Sequence, residues 1–429
     1  MIRLLPVLLT ALLSLPVAAR QTRPLNYYLE TARQNSPLIQ DYRNQQSIQT
    51  EELARLKAFY THSSLEVNGD YLFVPIVSKD GGTTAFKWNA QDGTDYYGYD
   101  LGQSSGHLQA GVTWRQPLLG RSGYQAAREQ AGIESDILDL NIRLEQHQLE
   151  RMVTEQYQLC LLNMIQISYT NTIDTLLARR AEVVSRLVRA GTMRRTDLNL
   201  LTIEAEKNAA QRTSLERSLH SHIADLNILC GISDTTDVVP EDSPVLITQD
   251  IPTERSIFTE RYDLDSLSVN ASLRSFAVQY KPRLDLFVNA GLQVGSYTNW
   301  YKHFGWSAGL TFSWTIYDGH QQRNKERQAL LQHNTIETYR TNAERQRSTR
   351  LAQCRRELAD YDREEASLLT QLSEYDNLLE TYVLELQAGE VSVLDYITVL
   401  RSRIQTENDL MLLRANRRLA VIAYNYWCR

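Results

Sequence analysis

Long apolar runs are missing from this 429-residue chain once its first twenty residues are passed. A bilayer-spanning helix needs roughly 20 consecutive apolar residues, so any membrane crossing beyond that point has to be made by strands. Proline and glycine are sparse, at 10 and 19, and they cluster, which leaves long stretches free of helix breakers. Cys-x-x-Cys pairs, phosphate loops and nucleophile elbows are absent. Eight histidines form no ligand pattern: His220 and His222 lie two apart on an expected helix and so leave it on different sides. No catalytic residue, cofactor or metal site is read from the chain, and an enzyme is not expected. A net charge of -6 offers nucleic acid no basic surface.

What is present begins with a targeting segment. Arg3 opens a short basic region, residues 4–17 are almost wholly apolar, and Val17, Ala18 and Ala19 supply small residues for cleavage. Residues 1–19 are therefore read as a signal peptide. Pro6 and Pro16 interrupt a stretch already too short for an anchor, and no cysteine at the cleavage site supports lipid attachment.

An internal repeat organises the rest. Ala110-Gly111-Val112-Thr113-Trp114 recurs as Ala308-Gly309-Leu310-Thr311-Phe312, about 198 positions on. At the same offset Ala190-Gly191 and Asp197 match Ala388-Gly389 and Asp395, and Asn227 with Cys230 matches Asn425 with Cys428. The period is too long for a solenoid, so each copy is half of one protomer, running strand, long helix, tight turn, helix. Pro240, Pro244 and Pro252 mark a linker between the halves.

Strict alternation predicts four strands in two hairpins. Leu65, Val67, Tyr71 and Phe73 share one face, and Leu108, Ala110, Val112 and Trp114 share the partner's. In the second hairpin Leu284 to Val294 alternate on one parity, as do Trp306, Ala308, Leu310, Phe312, Trp314 and Ile316. Each run is about ten residues long, as a tilted membrane strand requires, with aromatics near the ends. A soluble sandwich with one wet face shows the same alternation. Four strands cannot close around a lumen and open edges cannot face lipid, so a membrane role requires copies to pool strands.

Two stretches without proline, from about 123 to 188 and from about 321 to 386, predict helices of roughly 100 Å at 1.5 Å per residue. Each stops at an Ala-Gly pair, and a returning helix follows from about 196 to 229 and from about 393 to 427. Gly191 and Gly389 suit the left-handed residue that ends a helix. Heptad-like seams make these coiled-coil hairpins, with interruptions at Asn208, Arg212 and Asn408.

In this order and doubling, the chain resembles the TolC family of outer-membrane efflux proteins. Ala32, Asn35, Ser36 and Pro37 are similar to the family's opening pattern, and Lys281-Pro282-Arg283-Leu284 to its entry into a strand. Gln116-Pro117-Leu118 and Ile316-Tyr317-Asp318-Gly319 resemble its paired strand exits. The fold implied is mainly α with a membrane β-barrel portion. Long antiparallel helical hairpins form a periplasmic tunnel, and four strands per protomer contribute to a trimeric twelve-stranded barrel. The resemblance also implies a homotrimer embedded in outer-membrane lipid and extending into the periplasm. Its partners would be a periplasmic adaptor (membrane fusion protein) and an inner-membrane transporter. The corresponding layout is 1–19 signal peptide, 20–63 N-terminal helix, 64–119 first barrel hairpin with a long external loop, and 120–230 first helical hairpin. It continues with 231–265 linker, 266–282 helix, 283–319 second barrel hairpin and 320–429 second helical hairpin.

By motif position, Gly191, Thr196, Asp197, Gly389 and Asp395 match the family's periplasmic tips, which meet the adaptor and hold the duct closed. Helix capping accounts for the two aspartates equally well. Thr398 and Val391 stand where well-studied members carry a second acidic ring and a tip arginine. Cys160, Cys230, Cys354 and Cys428 fall two per repeat on opposite arms, open to two disulfides in an oxidising envelope or to buried thiols. The alternative function is a periplasmic coiled-coil scaffold or adaptor-like binding protein without a pore.

Overall fold

The computed structural model describes residues 22–71, 76–80, 83–87, 108–233, 239–241, 256–294, 300–302, 304–388 and 390–429. The expected signal peptide and Gly389 lie outside the described residues. So does Phe73, together with most of the long connection from Pro75 to Gly106. In chain order the elements are β1 (Thr22–Arg23), α1 (Leu25–Asn35), α2 (Pro37–Thr61), β2 (Ser64–Tyr71), β3 (Ile76–Asp80), β4 (Thr83–Lys87) and β5 (Leu108–Pro117). There follow α3 (Arg121–Arg189), α4 (Arg195–Leu229), β6 (Val239–Pro240), α5 (Ile257–Ala277), β7 (Arg283–Val294), β8 (Phe304–Ser313), α6 (Gln321–Ala388) and α7 (Val393–Cys428). Among the described residues no helix is long and apolar enough to cross a membrane.

The chain divides into two compact units. One comprises Asp41–Asn141 and Phe258–Asn342 and holds the main sheet; the other comprises Met1–Gln40, Ile142–Ile257 and Ala343–Arg429 and is built on helices.

In the sheet unit β2, β5, β7 and β8 form one antiparallel sheet in that order. Each predicted hairpin is present, and β5 against β7 joins the two repeats. That junction is unusually close. A Cβ on Gly291 would lie 2.3 Å from the Ala110 carbonyl oxygen and 2.4 Å from the Gly111 Cα, so only glycine fits. Glycine at such a crossing lets a sheet coil tightly. Within the long connection β3 and β4 make a small hairpin of their own.

Several boundaries differ from the sequence reading, each for a local reason. The N-terminal helix is two helices, because Ser36 precedes proline and adopts an extended ψ of 115°; Pro37 then opens α2, the helical position proline tolerates best. The linker ends earlier than residue 265, since α5 already starts at Ile257, and that helix stops at Ala277 before a short 3-10 turn at Val278–Tyr280. Trp314 and Ile316 lie past the end of β8. There the Trp314 indole donates to the Tyr280 carbonyl at 3.1 Å instead of continuing the ladder.

In the helical unit α3 returns as α4 and α6 returns as α7. The Asn208 and Arg212 interruptions have partners on the opposite arm: Asn208 donates to the Thr170 carbonyl at 2.9 Å and to Asp174 at 2.5 Å, and Arg212 pairs with Asp174. One repeat later these positions hold Leu372, Thr406 and Leu410, all buried. The first hairpin thus closes with a polar clasp where the second closes with side chains that need none. Arg403 to Asp376, Arg414 to Glu365 and Arg417 to Asp362, each at 2.7 Å, run up the exposed side of the second hairpin. Such surface pairs add register more than stability.

Both hairpins share a core near their turns. Ile173, Leu177 and Val184 of α3 and Leu201 of α4 pack with Leu379 and Leu386 of α6 and with Val393, Tyr396, Ile397 and Leu400 of α7. Beside this core Glu204, almost fully buried, takes Arg401 at 2.5 Å across the two hairpins. Elsewhere in the unit Tyr157 is fully buried, and its hydroxyl accepts from the Glu241 N–H at 2.8 Å and donates to the Glu241 carbonyl at 2.7 Å. The Arg23 carbonyl lies 3.1 Å away, so one phenol ties the paired strands β1 and β6 to α3. Burial raises that phenol to about 12, which keeps its proton in place.

Candidate membrane face and helical tips

Partners directly opposite each other in an antiparallel ladder leave the sheet on the same side, so the register turns sequence alternation into two faces. Leu65, Trp114, Val288 and Ala308 form one row across all four strands. Val67, Val112, Ala290 and Trp306 form the next apolar row. The other face carries rows such as Glu66, Thr113, Asn289 and Ser307. Phe287 is the large apolar exception there, and its ring takes the space that a side chain on Gly309 would fill.

The apolar face is exposed on the two outer strands, while Trp114 and Val288 of the inner strands are half-buried and Val294 is buried. Val67 is 84% exposed, Trp306 75%, Leu65 70% and Phe304 68%. A soluble monomer rarely exposes so continuous an apolar patch. Aromatics gather at its two ends, with Tyr71, Phe304 and Trp306 toward one and Trp114, Phe312 and Trp314 toward the other. β8 has 10 residues and β7 has 12, matching the reach of a strand tilted across hydrocarbon. Within this four-strand sheet β2 and β8 are the edges. Lipid offers their N–H and C=O groups no partner, so the sheet can meet lipid only when strands of other copies close it.

Where the sheet hands over to α6, Asp318 caps the helix. Its carboxylate accepts the N–H groups of His320 and Gln322, each at 2.8 Å. The Tyr280 hydroxyl, then these amides, hold the carboxyl below its ordinary range. A depressed folded value means the cap contributes fully above the unfolded value and is lost as pH falls through the lower, folded one. Amide exchange in the first turn of α6 should therefore stay slow at the pH where an ordinary aspartate is half protonated, and Asp318→Ala, which removes the acceptor, should speed that exchange at every pH.

At the tips, Gly191 has φ 77°, and the chain reverses through a Schellman turn. The Gly191 N–H reaches the Val188 carbonyl at 3.1 Å and the Thr192 N–H reaches the Leu187 carbonyl at 3.0 Å. At the repeat offset Glu390 N–H reaches the Glu385 carbonyl at 2.9 Å. Asp197 accepts the Arg194 N–H at 3.1 Å at the start of α4. Ser392 caps α7: its hydroxyl accepts the Asp395 N–H at 3.1 Å and donates to the Asp395 carboxylate at 2.6 Å. Both motif aspartates thus serve their own helix starts, and Thr196 stands exposed beside Asp197. Ser392→Ala should cost about 0.5–2 kcal/mol of local stability. The cost should appear as faster amide exchange in the first turn of α7 while the sheet is unchanged.

All four cysteines are free, buried thiols. Gln156 donates to the His222 carbonyl at 3.0 Å, and this antiparallel register leaves Cys160 and Cys230 more than two helical turns apart, roughly 12 Å or more at 1.5 Å per residue. A disulfide does not span that. Burial pushes both thiols up to about 12. Cys354 and Cys428 instead share one cluster with Leu358, Val421 and Tyr424. The sequence reading missed the Asp318 cap and the Glu204–Arg401 bridge. An acidic residue beside Gly319 was the available signal for the first; the second joins residues far apart in sequence.

No family model matches the chain. No curated relative matches it either. Solved structures do. The outer membrane protein VceC from Vibrio cholerae is 11% identical, with a TM-score of 0.69 over 94% of this chain and 95% of that one. The MtrE outer membrane channel of Neisseria gonorrhoeae, solved in its open state, is 14% identical, with a TM-score of 0.66 over 94% and 88%. A membrane protein from Pseudomonas aeruginosa is 15% identical, with a TM-score of 0.69 over 94% and 93%. With its doubled helical hairpins and four-strand antiparallel sheet, this chain has the fold that these membrane-protein structures share.

Proposed function

We propose that this chain is one protomer of a homotrimeric outer-membrane duct. It passively carries solutes delivered by an inner-membrane transporter and a periplasmic adaptor to the exterior. The observation that carries the reading is the continuous apolar face spanning all four strands and exposed on the outer two, with open edges at β2 and β8. Three copies supply twelve strands, which close the ladder and turn the apolar rows to lipid and the polar rows to a lumen. The helical hairpins then lie in the periplasm. Their tips, at Gly191, Thr196, Asp197, Gly389 and Asp395, meet the adaptor. A fold shared over nearly the full length of outer-membrane channels supports this reading.

The test is fractionation of the processed chain followed by mass measurement in detergent. Recovery with the outer membrane, a need for detergent and a three-copy mass are the expected results. A chain that washes out with salt as a soluble single copy is a scaffold and not a duct.

A further inference from the structure

The sheet unit contains a cavity of about 640 Å³ at the end where β5 runs into α3. Arg115, Lys281 and Arg283 bring three cations to its wall, and Glu66 and Asp285 bring two carboxylates. Among the described residues none of these five side chains makes an ion pair or a side-chain hydrogen bond. Charges of both signs that line one concavity without pairing are held apart by the strands that carry them. Ser64 is opposite Arg115, Thr113 is opposite Glu66 and Ser313 is opposite Arg283, so each charge faces a neutral partner across the ladder. The sum is an excess of positive charge in a recess.

The rest of the wall is of a different kind. Phe59, Leu119 and Val278 give an apolar flank, and Ser63 and Ser122 add hydroxyls. The first turn of α3 borders the cavity at Ser122 and Gly123; the opening N–H groups of a helix have no intrahelical acceptor and favour negative charge. Net positive charge lining a recess raises the local concentration of anions there. Flat guanidinium forks suit carboxylates and sulfonates, which they grip with paired hydrogen bonds.

We propose that this cavity binds small organic anions carrying an apolar ring, of the aromatic sulfonate or carboxylate class. Such anions are then among the solutes the duct passes, and this second statement alone rests on the duct reading. Glu66, Arg115, Arg283 and Asp285 belong to the polar face of the sheet, so a bound anion sits on that face. Arg283 with Lys281 from one side and Arg115 from four residues further along the ladder supply the positive charge that holds the acidic group, and the Phe59 flank receives the ring. Glu66 and Asp285 weaken the hold and favour release.

The probe is 4-(trifluoromethyl)benzenesulfonate, followed by fluorine NMR with the full chain in dodecylmaltoside, against the neutral 4-(trifluoromethyl)benzenesulfonamide. Saturable binding of the sulfonate but not the sulfonamide is expected. The triple variant R115Q/K281Q/R283Q should bind at least about tenfold more weakly, and E66Q/D285N should bind more tightly, as screened charge interactions of this number imply. The single variants R115Q and R283Q, each about threefold weaker, keep the test decisive if the triple variant misfolds. Equal binding of both probes, or no change in R115Q and R283Q, overturns the site. Conductance in planar bilayers separates the two readings. A chain that binds the sulfonate by charge yet forms no channel keeps the site and loses the duct. A channel the sulfonate neither blocks nor permeates keeps the duct and loses the proposed solute class.

Discussion

Ala308→Arg should abolish assembly into the membrane, while Ser307→Arg, one residue away, should leave it intact. Both side chains are exposed in the single chain, so in water the two substitutions are equivalent. They differ only in the face they occupy: Ala308 stands in the row of Leu65, Trp114 and Val288, and Ser307 in the row of Glu66, Thr113 and Asn289. An arginine near the bilayer midplane of a barrel costs about 2–4 kcal/mol, and a lumen substitution costs little. A symmetric trimer incurs the penalty three times. Heat-resistant trimers on a semi-native gel are the readout. Trimers of Ala308→Arg as abundant as those of Ser307→Arg would mean the apolar face never meets lipid.

The second large effect is expected at the other unit. Leu400 is fully buried among side chains of α3, α4, α6 and α7. Leu400→Ala should cost about 2–5 kcal/mol, because the cavity it leaves lies between rigid helices that close poorly around it. The helices on either side are already strapped by Glu204 and Arg401 and by Arg403 and Asp376, so the loss should stay local. Limited proteolysis should then cut at the exposed turn around Arg194 and Arg195 in the variant well before it cuts the wild type, with no change in trimer yield. Uniform destabilisation, sheet included, would show that the two hairpins do not form a separable core.

The parts of this architecture that were legible in the sequence are those governed by period and repetition. Alternation from Leu284 to Val294 fixes which side chains share a face whatever the neighbours are, and the recurrence of Ala110-Gly111 as Ala308-Gly309 doubles every inference. Long helices follow from the absence of breakers between Gly123 and Val188. The gaps have equally physical causes. Alternation runs on through Trp314 and Ile316, yet the strand ends at Ser313 and the chain leaves the ladder for the turn at Gly319 and His320 that Asp318 caps. Antiparallel arms place Cys160 against the wrong stretch of α4 because register depends on bonds such as Gln156 to His222, which no periodicity encodes. The charged recess was invisible for the same reason: Glu66, Arg115 and Arg283 line one cavity only once three strands have been laid side by side.

The row Gly111, Gly291 and Gly305 runs level across three strands of the polar face. In a threefold barrel three strands of each copy present naked peptide at that level, and the fourth presents Asn68, opposite Gly111 and held to Thr113. Width at that level is then set by strand number and shear, with three copies of one short amide as the sole side chains of the described strands that reach inward there.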